Sequence, residues 1–516
     1  MWLCIRLGNI AIRHRYLGLP LPCCGNGTDV YSVKRHFDLG YIVSQLVYNI
    51  FFHPLAQFPG PFLARSTLLW RMYHSMRGHF HLVVQKQHER YGSVFRVSPN
   101  ELSFSSFRSW KDIYGHATSG KPILIKSEFY DMYGAAFESL CIGSERDPTN
   151  HSRMKKSLSA AFSTKALAEQ ENIIQRCVDQ FVSRIGTDGA SEQGLDMTKW
   201  FEMISFDILG EMAFGESFGC VENGRSSAWS DMIVQHLFYI TVLDNLRRIP
   251  LCAALGKILL PRMTVEVRDR HAKYSREKVA RRLNSESDRH DFLTNISEKV
   301  KAGELSQEEM TAHASTLIIA GGETIATFFA GVTYFLLKNP EAYQKLRDEI
   351  RTNFTSVDSI TATLAMQLPY LQAVISEGLR VYQPGSQGFP RLSPGAIIDG
   401  HWVPKGTEVY TSAWTVLHDE KNFHEPYTFK PERWLDTGCS DNLSASQPFS
   451  LGPRACLGKN FAYFEMSLIL AKMHFQCDLE LVDPSLDWLE DSYLHVMWWK
   501  PALYIRFKTA KLEYRV

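Results

Sequence analysis

The feature that most constrains this chain is a cysteine between a glycine-rich loop and a strong helical pattern. The loop is FSLGPRACLG, residues 449–458, and KNFAYFEMSLILAKMHF follows it directly. Cys456 would therefore lie at the positive end of a helix dipole, where free backbone N–H groups favour a thiolate over a thiol. The alternative is a buried structural cysteine in a glycine-rich turn.

The neighbours of Cys456 indicate what such a thiolate would serve. Gly452 and Gly458 remove side chains where a backbone must approach a flat macrocycle closely. Arg454 supplies a cation for a buried anion, and Phe449 can pack under the ring. The loop therefore predicts a thiolate.

Composition narrows the class of protein. The chain has 516 residues, 45% of them hydrophobic, and a formal net charge of +1, so it can bury a large core. Its lysines and arginines are dispersed, which leaves no basic stripe to attract a nucleic acid. The ten cysteines include no CxxC pair and no zinc-type spacing, so most are expected to be reduced, buried apolar residues.

The N-terminal segment, residues 1–52, contains two apolar stretches, MWLCIRLGNIAI and GYIVSQLVYNIFF. Neither reaches the roughly 20 apolar residues that a spanning helix needs, and arginines make the first a poor signal peptide. We interpret residues 39–52 as a partial or interfacial membrane anchor. The prolines of HPLAQFPGP predict a stiff hinge over residues 53–64, before a single catalytic domain over residues 65–516.

The pattern after the hinge is mostly helical, with amphipathic runs such as TKALAEQENIIQRCVDQFVSRIG and PEAYQKLRDEIRTNF. Short strand patterns intervene. VFRVSPNELSFS predicts a hairpin, and AIIDGHWVPKGTEVYTSAW predicts strands broken by Asp399-Gly400 and Lys405-Gly406 turns. LNSESDRHD, residues 283–291, predicts a polar loop. The expected fold class is mainly α with small β-sheets (α+β).

The longest apolar run is ASTLIIAGGETIATFFAGVTYFLL, residues 314–337. By hydropathy alone it qualifies as a transmembrane helix. Glu323 stands at its centre, where an acid facing lipid would cost about 2.5 to 3.5 kcal/mol. A helix buried in a large soluble core explains the run equally well. With SQEEM opening it and Asn339-Pro340 closing it, the helix would have roughly 30 residues and span about 45 Å.

The motif FxxGxRxCxG resembles the haem-binding loop of the cytochrome P450 family, and similar segments extend from about His53 to the C-terminus. The resemblance implies a cytochrome P450 fold, with haem b between a long distal helix and the cysteine loop, and Cys456 as the axial iron ligand. Thiolate ligation pushes electron density toward the iron and favours cleavage of the O–O bond. The implied enzyme is a monooxygenase that uses O2 and receives electrons from NADPH through a reductase.

The segment AGGET, residues 320–324, resembles the family's oxygen-activation motif on the long helix. Thr324 would donate a hydrogen bond to bound dioxygen and Glu323 would feed protons. The two glycines are expected to weaken the helix, and Ala320 with them to leave space beside the iron. Ile325 stands where the family often has a second hydroxyl. Without Cys456, a core threonine bonded back to its own helix would be the usual interpretation.

Three further residues resemble a structural network of the family. Glu377 and Arg380, in ISEGLR, share one helix face within ion-pairing reach. Arg433, in KPERW, matches the third member of the family's Glu-Arg-Arg network. We expect these residues to support the core around the cysteine loop and to take no part in catalysis.

Four residues are expected to contact the haem propionates. Arg454 is the best candidate, and Arg391, in GFPRLSP, matches a position where the family often has a propionate arginine. His151 and Lys155, in DPTNHSRMKKSLSAAFS, stand where the family has a Trp-x-x-x-Arg pair. Both are departures, although histidine can still donate one hydrogen bond and lysine can still pair as a point charge.

HPLAQFPGP, FDILGEMAFGESFG and FKPERWL look most like enzymes of secondary metabolism in filamentous fungi. This resemblance implies an apolar terpenoid-, polyketide- or alkaloid-like substrate, hydroxylated or epoxidised with O2 and a membrane-bound NADPH-cytochrome P450 reductase. It also implies the cytosolic face of the endoplasmic reticulum membrane. Candidate substrate contacts are Phe129, Tyr130, Ala320 and Gln387.

Two alternatives stay open at this point. One is a haem-thiolate isomerase, dehydratase or peroxygenase that needs no reductase, which the intact Glu323-Thr324 pair disfavours. The other is a non-catalytic haem protein that binds gas or carries electrons. It predicts a blocked distal side, whereas the small residues 320–322 favour an open one.

Overall fold

The computed structural model describes residues 39–117, 122–134, 136–227, 239–249, 262–284, 291–436 and 438–510, with backbone only for 262–267. The first apolar stretch and most of the predicted polar loop at 283–291 lie outside the described residues. Helices dominate the described chain, and short strands form small separate sheets. The predicted fold class, mainly α with small β-sheets, is confirmed.

Apart from short 3-10 turns, ten helices lie in the described part of the chain before residue 228. They are α1 (Leu39–Phe52), α2 (Phe62–Ser66), α3 (Leu69–Met76), α4 (Phe80–Tyr91), α5 (Phe107–Tyr114), α6 (Pro148–Ser159), α7 (Thr164–Glu169), α8 (Glu171–Asp188), α9 (Met197–Phe214) and α10 (Cys220–Asn223).

Eight more helices follow residue 261. They are α11 (Arg262–Asn284), α12 (Thr294–Lys301), α13 (Gln307–Lys338), α14 (Pro340–Asn353), α15 (Ala362–Ala365), α16 (Pro369–Val381), α17 (Ala413–Leu417) and α18 (Lys459–Gln476). A further helical segment spans 239–246.

The strands form four sheets. The largest has the order β1 (Val94–Ser98), β2 (Glu101–Phe104), β8 (Glu408–Thr411), β5 (Arg391–Leu392) and β3 (Ile125–Lys126). The others are β4 (Leu195–Asp196) with β12 (Tyr504–Thr509) and β9 (Cys477–Leu481), β6 (Ala396–Ile398) with β7 (His401–Val403), and β10 (Tyr493–Leu494) with β11 (Trp498–Trp499). The predicted β1–β2 hairpin is confirmed, as is the turn at Asp399-Gly400, where both residues have positive φ.

The long apolar run forms α13, a helix of 32 residues. Ser306 caps its first turn by accepting a hydrogen bond from the Glu309 N–H at 3.1 Å, and Asn339 ends it. Its length and composition would suit a membrane span, but 72% of its most apolar window is buried inside the protein. Of the two explanations of this run, the buried core helix is therefore confirmed.

The glycine pair of α13 marks the place where α9 crosses it. A methyl group at Gly322 would lie 2.7 Å from the Phe206 ring, and one at Gly321 would lie 2.9 Å from Leu209. The helix is continuous through both glycines. The expectation that they weaken the helix is wrong: they let two helices pack closely, because neither has a Cβ.

The predicted hinge at residues 53–64 packs on the body of the protein. Leu55 and Phe58 are buried in a core cluster with β1 and β2. The last turn of α1 is hydrogen-bonded to the body of the protein. The Asn49 side chain donates to the Ser66 carbonyl at 2.9 Å, and Arg96 donates to the Asn49 carbonyl at 2.7 Å. The prolines therefore shape a fixed turn between α1 and α2.

Candidate active site

The cysteine loop presents its thiol outward. Cys456 is exposed, whereas Cys141, Cys220 and Cys477 are buried. The loop is held from within, because the Cys456 N–H donates to the Phe449 carbonyl at 2.8 Å. An accessible thiol on a hydrogen-bonded loop is suited to binding a metal, since the sulfur needs no rearrangement to be reached.

The two glycines of this loop, Gly452 and Gly458, differ in whether a side chain would fit. Gly452 has a φ of 70°, and a Cβ there would lie 2.2 Å from the Tyr114 carbonyl oxygen. A side chain at Gly452 is therefore excluded by the end of α5 and by the left-handed backbone, and the expected close approach to a flat ring stays a prediction. At Gly458 a Cβ would meet open space.

The groups around the Cys456 thiol act on its pKa in opposite directions. Although Cys456 is exposed, the protein packed around the loop partly desolvates its thiol and raises the pKa above its ordinary value, while the Gly458 N–H, Lys155 and Lys459 lower it. Desolvation prevails, so the polypeptide by itself does not favour the thiolate as the loop-to-helix position suggested. A coordinated metal ion deprotonates such a thiol outright.

Lys155 contacts the cysteine loop directly. Its ammonium donates to the Pro453 carbonyl at 2.9 Å and to the Ala455 carbonyl at 3.3 Å. Lys155 was predicted to contact a propionate, and here it clamps α6 to the backbone beside the thiol. Two carbonyls at these distances suit a point charge with several donors.

The Glu377 carboxylate lies at the centre of a buried network. Arg380 donates to both of its oxygens at 2.8 Å, and Arg433 donates to Oε1 at 3.1 Å. The indole of Trp434 donates to Oε2 at 2.9 Å and the Lys430 N–H to Oε1 at 2.9 Å. The three charged residues predicted to form a network are thus in contact, and both carboxylate oxygens are satisfied.

Four basic side chains gather near the start of the cysteine loop: Lys126, His151, Arg391 and Arg454. Burial and the nearby arginines lower the pKa of Lys126 to about 6. Burial and the neighbouring cations lower the pKa of His151 to about 3, and burial with Arg391 lowers that of Arg454 to about 10. Basic groups that lie this close together are suited to bind an anion.

Lys126 was not predicted from the sequence. It lies directly opposite Arg391 in the β3–β5 pair, where two like charges destabilise a sheet unless an anion compensates them. Its ammonium also donates to the carbonyls of Ile142 and Gly143, at 2.8 and 2.6 Å. In the sequence, Lys126 stands out only as a lysine that follows the apolar run ILI. Its position opposite Arg391 can be seen only in the tertiary structure.

Thr324 and Ala320 share one face of α13, one turn apart. Ala320 is exposed and Thr324 half-buried, although most residues of this helix are buried. The Thr324 hydroxyl donates to the Ala320 carbonyl at 2.7 Å. The hydroxyl thus bonds back to its own helix but stands beside accessible space.

Glu323 does not contact Thr324. Its carboxylate binds Lys500 and accepts a hydrogen bond from Thr327 at 3.2 Å. Successive residues of an α-helix point about 100° apart, so the neighbouring side chains face different surroundings. Oε2 of Glu323 is buried and has no hydrogen-bond partner within the described part of the chain. Burial raises the pKa of Glu323, and Lys500 opposes this shift.

A small open cleft is lined by Phe129, Gln387 and Val496 and also by charged side chains, among them Arg71, Glu101, Asp244 and Glu408. Phe129 and Val496 belong to a small apolar cluster that also packs against Ile319, next to Ala320. Two of the predicted substrate contacts, Phe129 and Gln387, thus line one cleft. Tyr130 instead joins the basic group, because its hydroxyl accepts a hydrogen bond from Arg391 at 2.5 Å.

These features fit a haem bound through Cys456. The exposed thiol could bind the iron of a haem, the four clustered basic residues could hold its two carboxylates, and Ala320 presents little bulk. Phe449 packs at the edge of the core with its ring 5.4 Å from that of Tyr463.

Comparison with known proteins gives the same assignment. A family model described as Cytochrome P450 matches residues 58–500. The cytochrome P450 monooxygenase ORF9 of Penicillium roqueforti is 59% identical over 470 residues, 91% of this chain and 92% of the relative. The cytochrome P450 monooxygenase BOT4 of Botryotinia fuckeliana is 51% identical over 89% of this chain and 88% of the relative. The cytochrome P450 monooxygenase BOA3 of Botryotinia fuckeliana strain B05.10 is 38% identical over 91% of this chain and 94% of the relative. The chain belongs to the cytochrome P450 family.

Proposed function

We propose that this haem-thiolate monooxygenase hydroxylates or epoxidises an apolar secondary-metabolite intermediate at the cytosolic face of the endoplasmic reticulum membrane. Its electrons come from NADPH through a cytochrome P450 reductase. The observation that carries the proposal is that the Cys456 thiol is exposed and that α13 has an accessible, small-residue face at Ala320 and Thr324.

The haem, when bound, supplies an iron that binds and reduces dioxygen. The residues of the chain would hold the haem and position the oxygen. Arg391, Arg454, Lys126 and His151 would hold its carboxylates, and Lys155 keeps α6 on the cysteine loop. Thr324 would exchange its bond to the Ala320 carbonyl for one to an oxygen at the accessible face.

The apolar cluster beside Ile319 supports the substrate class. Phe129, Tyr130, Ile240 and Val496 form this cluster, whereas the adjoining cleft also carries ion-paired charged residues. An apolar molecule suits the cluster, because apolar walls supply affinity and a few polar groups supply orientation. The relatives are fungal monooxygenases by name, which supports a fungal metabolite.

The membrane proposal rests on α1 and its surroundings. Most of its apolar side chains are exposed, with Phe51 and Phe52 about 70% so (69% and 71%). Phe62 and Leu63 of α2 extend the same exposed apolar surface at 68% and 54%. With 14 residues, α1 would be about 21 Å long, too short to span a bilayer. It suits an interfacial helix.

The first test is spectroscopic and chemical. Reduced protein with carbon monoxide should show the red-shifted absorption band of thiolate ligation, and Cys456→Ala should abolish it. Candidate metabolites should then be titrated for the spectral shift that reports displacement of iron-bound water. A responding metabolite, incubated with reductase, NADPH and 18O2, should give a product with one labelled oxygen. Unlabelled product, or product without NADPH, would contradict the proposal.

The membrane test uses the full chain. Phe51→Asp with Phe52→Asp should reduce retention on microsomal membranes, and Phe62→Asp with Leu63→Asp should reduce it further when combined with the first pair. Ile397→Asp with Trp402→Asp changes two residues that are 61% and 58% exposed on the separate β6–β7 hairpin and serves as the control. Equal retention of all variants would exclude α1 as the membrane contact.

A further inference from the structure

A row of alternating charges leads from the surface to the middle of α13. Lys199, whose side chain is 47% exposed, donates to Glu202 Oε2 at 2.8 Å. Glu202 Oε1 lies 3.8 Å from the Lys500 ammonium, and Lys500 in turn binds Glu323. The row joins α9, the segment after β11 and α13.

The inner three members are deeply buried. The side chains of Lys500, Glu202 and Glu323 are 2%, 6% and 1% exposed. One lysine thus serves two carboxylates, and Oε2 of Glu323 is left without a hydrogen bond among the described residues. Such a cluster is a costly way to stabilise a fold, because each buried charge loses several kcal/mol of hydration. Its arrangement calls for a functional explanation.

A buried lysine–glutamate pair can exist in two forms. In a medium of low polarity the neutral amine and acid compete with the ion pair, since burial penalises both charges. Lys500 contacts Glu323 directly and is therefore placed to pass it a proton. Thr327 bridges the two, because its hydroxyl donates to Glu323 at 3.2 Å and accepts from Lys500 at 3.2 Å.

We propose that Glu202 and Lys500 form a proton-entry relay that recharges Glu323 from solvent at Lys199. A proton passes from Lys500 Nζ to the Glu323 carboxylate, and Lys500 recovers one from solvent through Glu202. Glu323 faces Lys500 in this structure, so its side chain must turn toward the Thr324 face to release the proton. Each group is then back in its starting state and one proton has moved inward. Glu202 and Lys500 act through Glu323 and are positioning residues. The inference rests on the proposed role of Glu323 in oxygen activation.

Lys500→Arg separates a relay from a structural ion pair. Arginine keeps the charge and the contact with Glu323, but it does not release its proton in proteins. Lys500→Met removes both functions. Holoenzyme with reductase is assayed for NADPH oxidation and peroxide release with O2 as the only oxidant and no added substrate, in H2O and in D2O. Reduction of the haem by reductase is measured separately.

Both variants should lower the rate of NADPH oxidation about tenfold and raise the solvent isotope effect on that rate. The loss is smaller than the about 10²- to 10⁴-fold expected when a group that transfers the proton directly is removed. Haem reduction should be unchanged. Glu202→Gln, which leaves the Lys500–Glu323 pair intact, should give the same change and carries the test if Lys500→Met misfolds. Lys472→Met is the control, because this buried lysine pairs with Asp179 between α18 and α8. It should change stability and leave the isotope effect alone.

Wild-type rate and isotope effect in Lys500→Arg and Glu202→Gln would overturn the relay and make Lys500 a structural partner. A wild-type enzyme that oxidises no NADPH is a different failure: it contradicts the proposed reductase-dependent function, and the relay falls with it.

Discussion

The two buried glutamates on either side of the candidate site differ in how completely they are paired. Glu377, behind the cysteine loop, is bound by two arginines, an indole and a backbone N–H, and both its oxygens are used. Glu323, on α13, shares one lysine with Glu202, and its Oε2 has no partner among the described residues.

This difference separates a structural site from a reactive one. A fully satisfied buried network has one stable arrangement, and so it holds a loop in place. A carboxylate with a vacant lone pair and a shared cation has several arrangements of similar energy, which proton transfer requires. The cysteine side of the molecule is fixed, and the α13 side can change its protonation.

Breaking the fixed side should have the largest effect. Arg380→Met leaves Glu377 with one arginine, and removing one partner of a buried pair costs about 3 to 5 kcal/mol. Thermal unfolding and haem content after purification measure this loss. Lys273→Ala, at an exposed i,i+4 pair with Glu277, should change stability by about 0.5 kcal/mol or less. An equal loss of unfolding free energy in the two variants would show that the Glu377 network stabilises the protein no more than an exposed ion pair does.

Glu465, on α18, is a third buried glutamate and sharpens the comparison. Burial alone raises its pKa to about 8, so the folded protein keeps a proton that the unfolded chain releases above about 4.5. The contribution of Glu465 to the free energy of unfolding is complete below about pH 4.5 and is lost as the pH rises from there through 8. Glu465→Gln should remove that loss, on the order of 3 kcal/mol near pH 8. Unfolding midpoints at pH 5 and pH 8 test it, and parallel pH dependence in both proteins would contradict it.

Gly322→Ala disturbs only the α13 side. The new methyl group would lie 2.7 Å from the Phe206 ring, and overpacking of this kind costs about 1 to 3 kcal/mol. Phe206→Leu in the same chain should restore part of the unfolding temperature. If Gly322→Ala were as stable as wild type, the crossing of α9 and α13 would tolerate a side chain, and the glycine would need another explanation.

Thr324→Ala should have the smallest effect on free energy and the clearest effect on chemistry. Loss of its hydroxyl should lower product formed per NADPH about tenfold, or about 1.4 kcal/mol, with stability nearly unchanged. Thr333→Val on the same helix is the control, because the Thr333 hydroxyl is buried without a hydrogen bond in the described structure. Unchanged coupling in Thr324→Ala would remove its role in proton delivery.

The elements predicted from the sequence were those with local signals. The 32-residue α13, the β1–β2 hairpin and the helix after Cys456 follow from periodicity, capping and turn residues. The Glu377–Arg380 contact needs only three residues of separation on one helix. The sequence predicted the wrong role for Gly321 and Gly322, because their function depends on α9, which crosses α13 from more than 100 residues away.

The site shows the same division. Cys456 could be identified from ten consecutive residues, because loop, thiol and helix are contiguous. Lys126 faces Arg391 only after β3 and β5 pair, and Lys500 reaches Glu323 across 177 residues of chain. The sequence by itself thus determined the family and singled out Cys456 as the candidate thiolate ligand. The tertiary structure alone decided which charges meet, because burial and pairing of ionic groups depend on distance in space, and no local pattern encodes it.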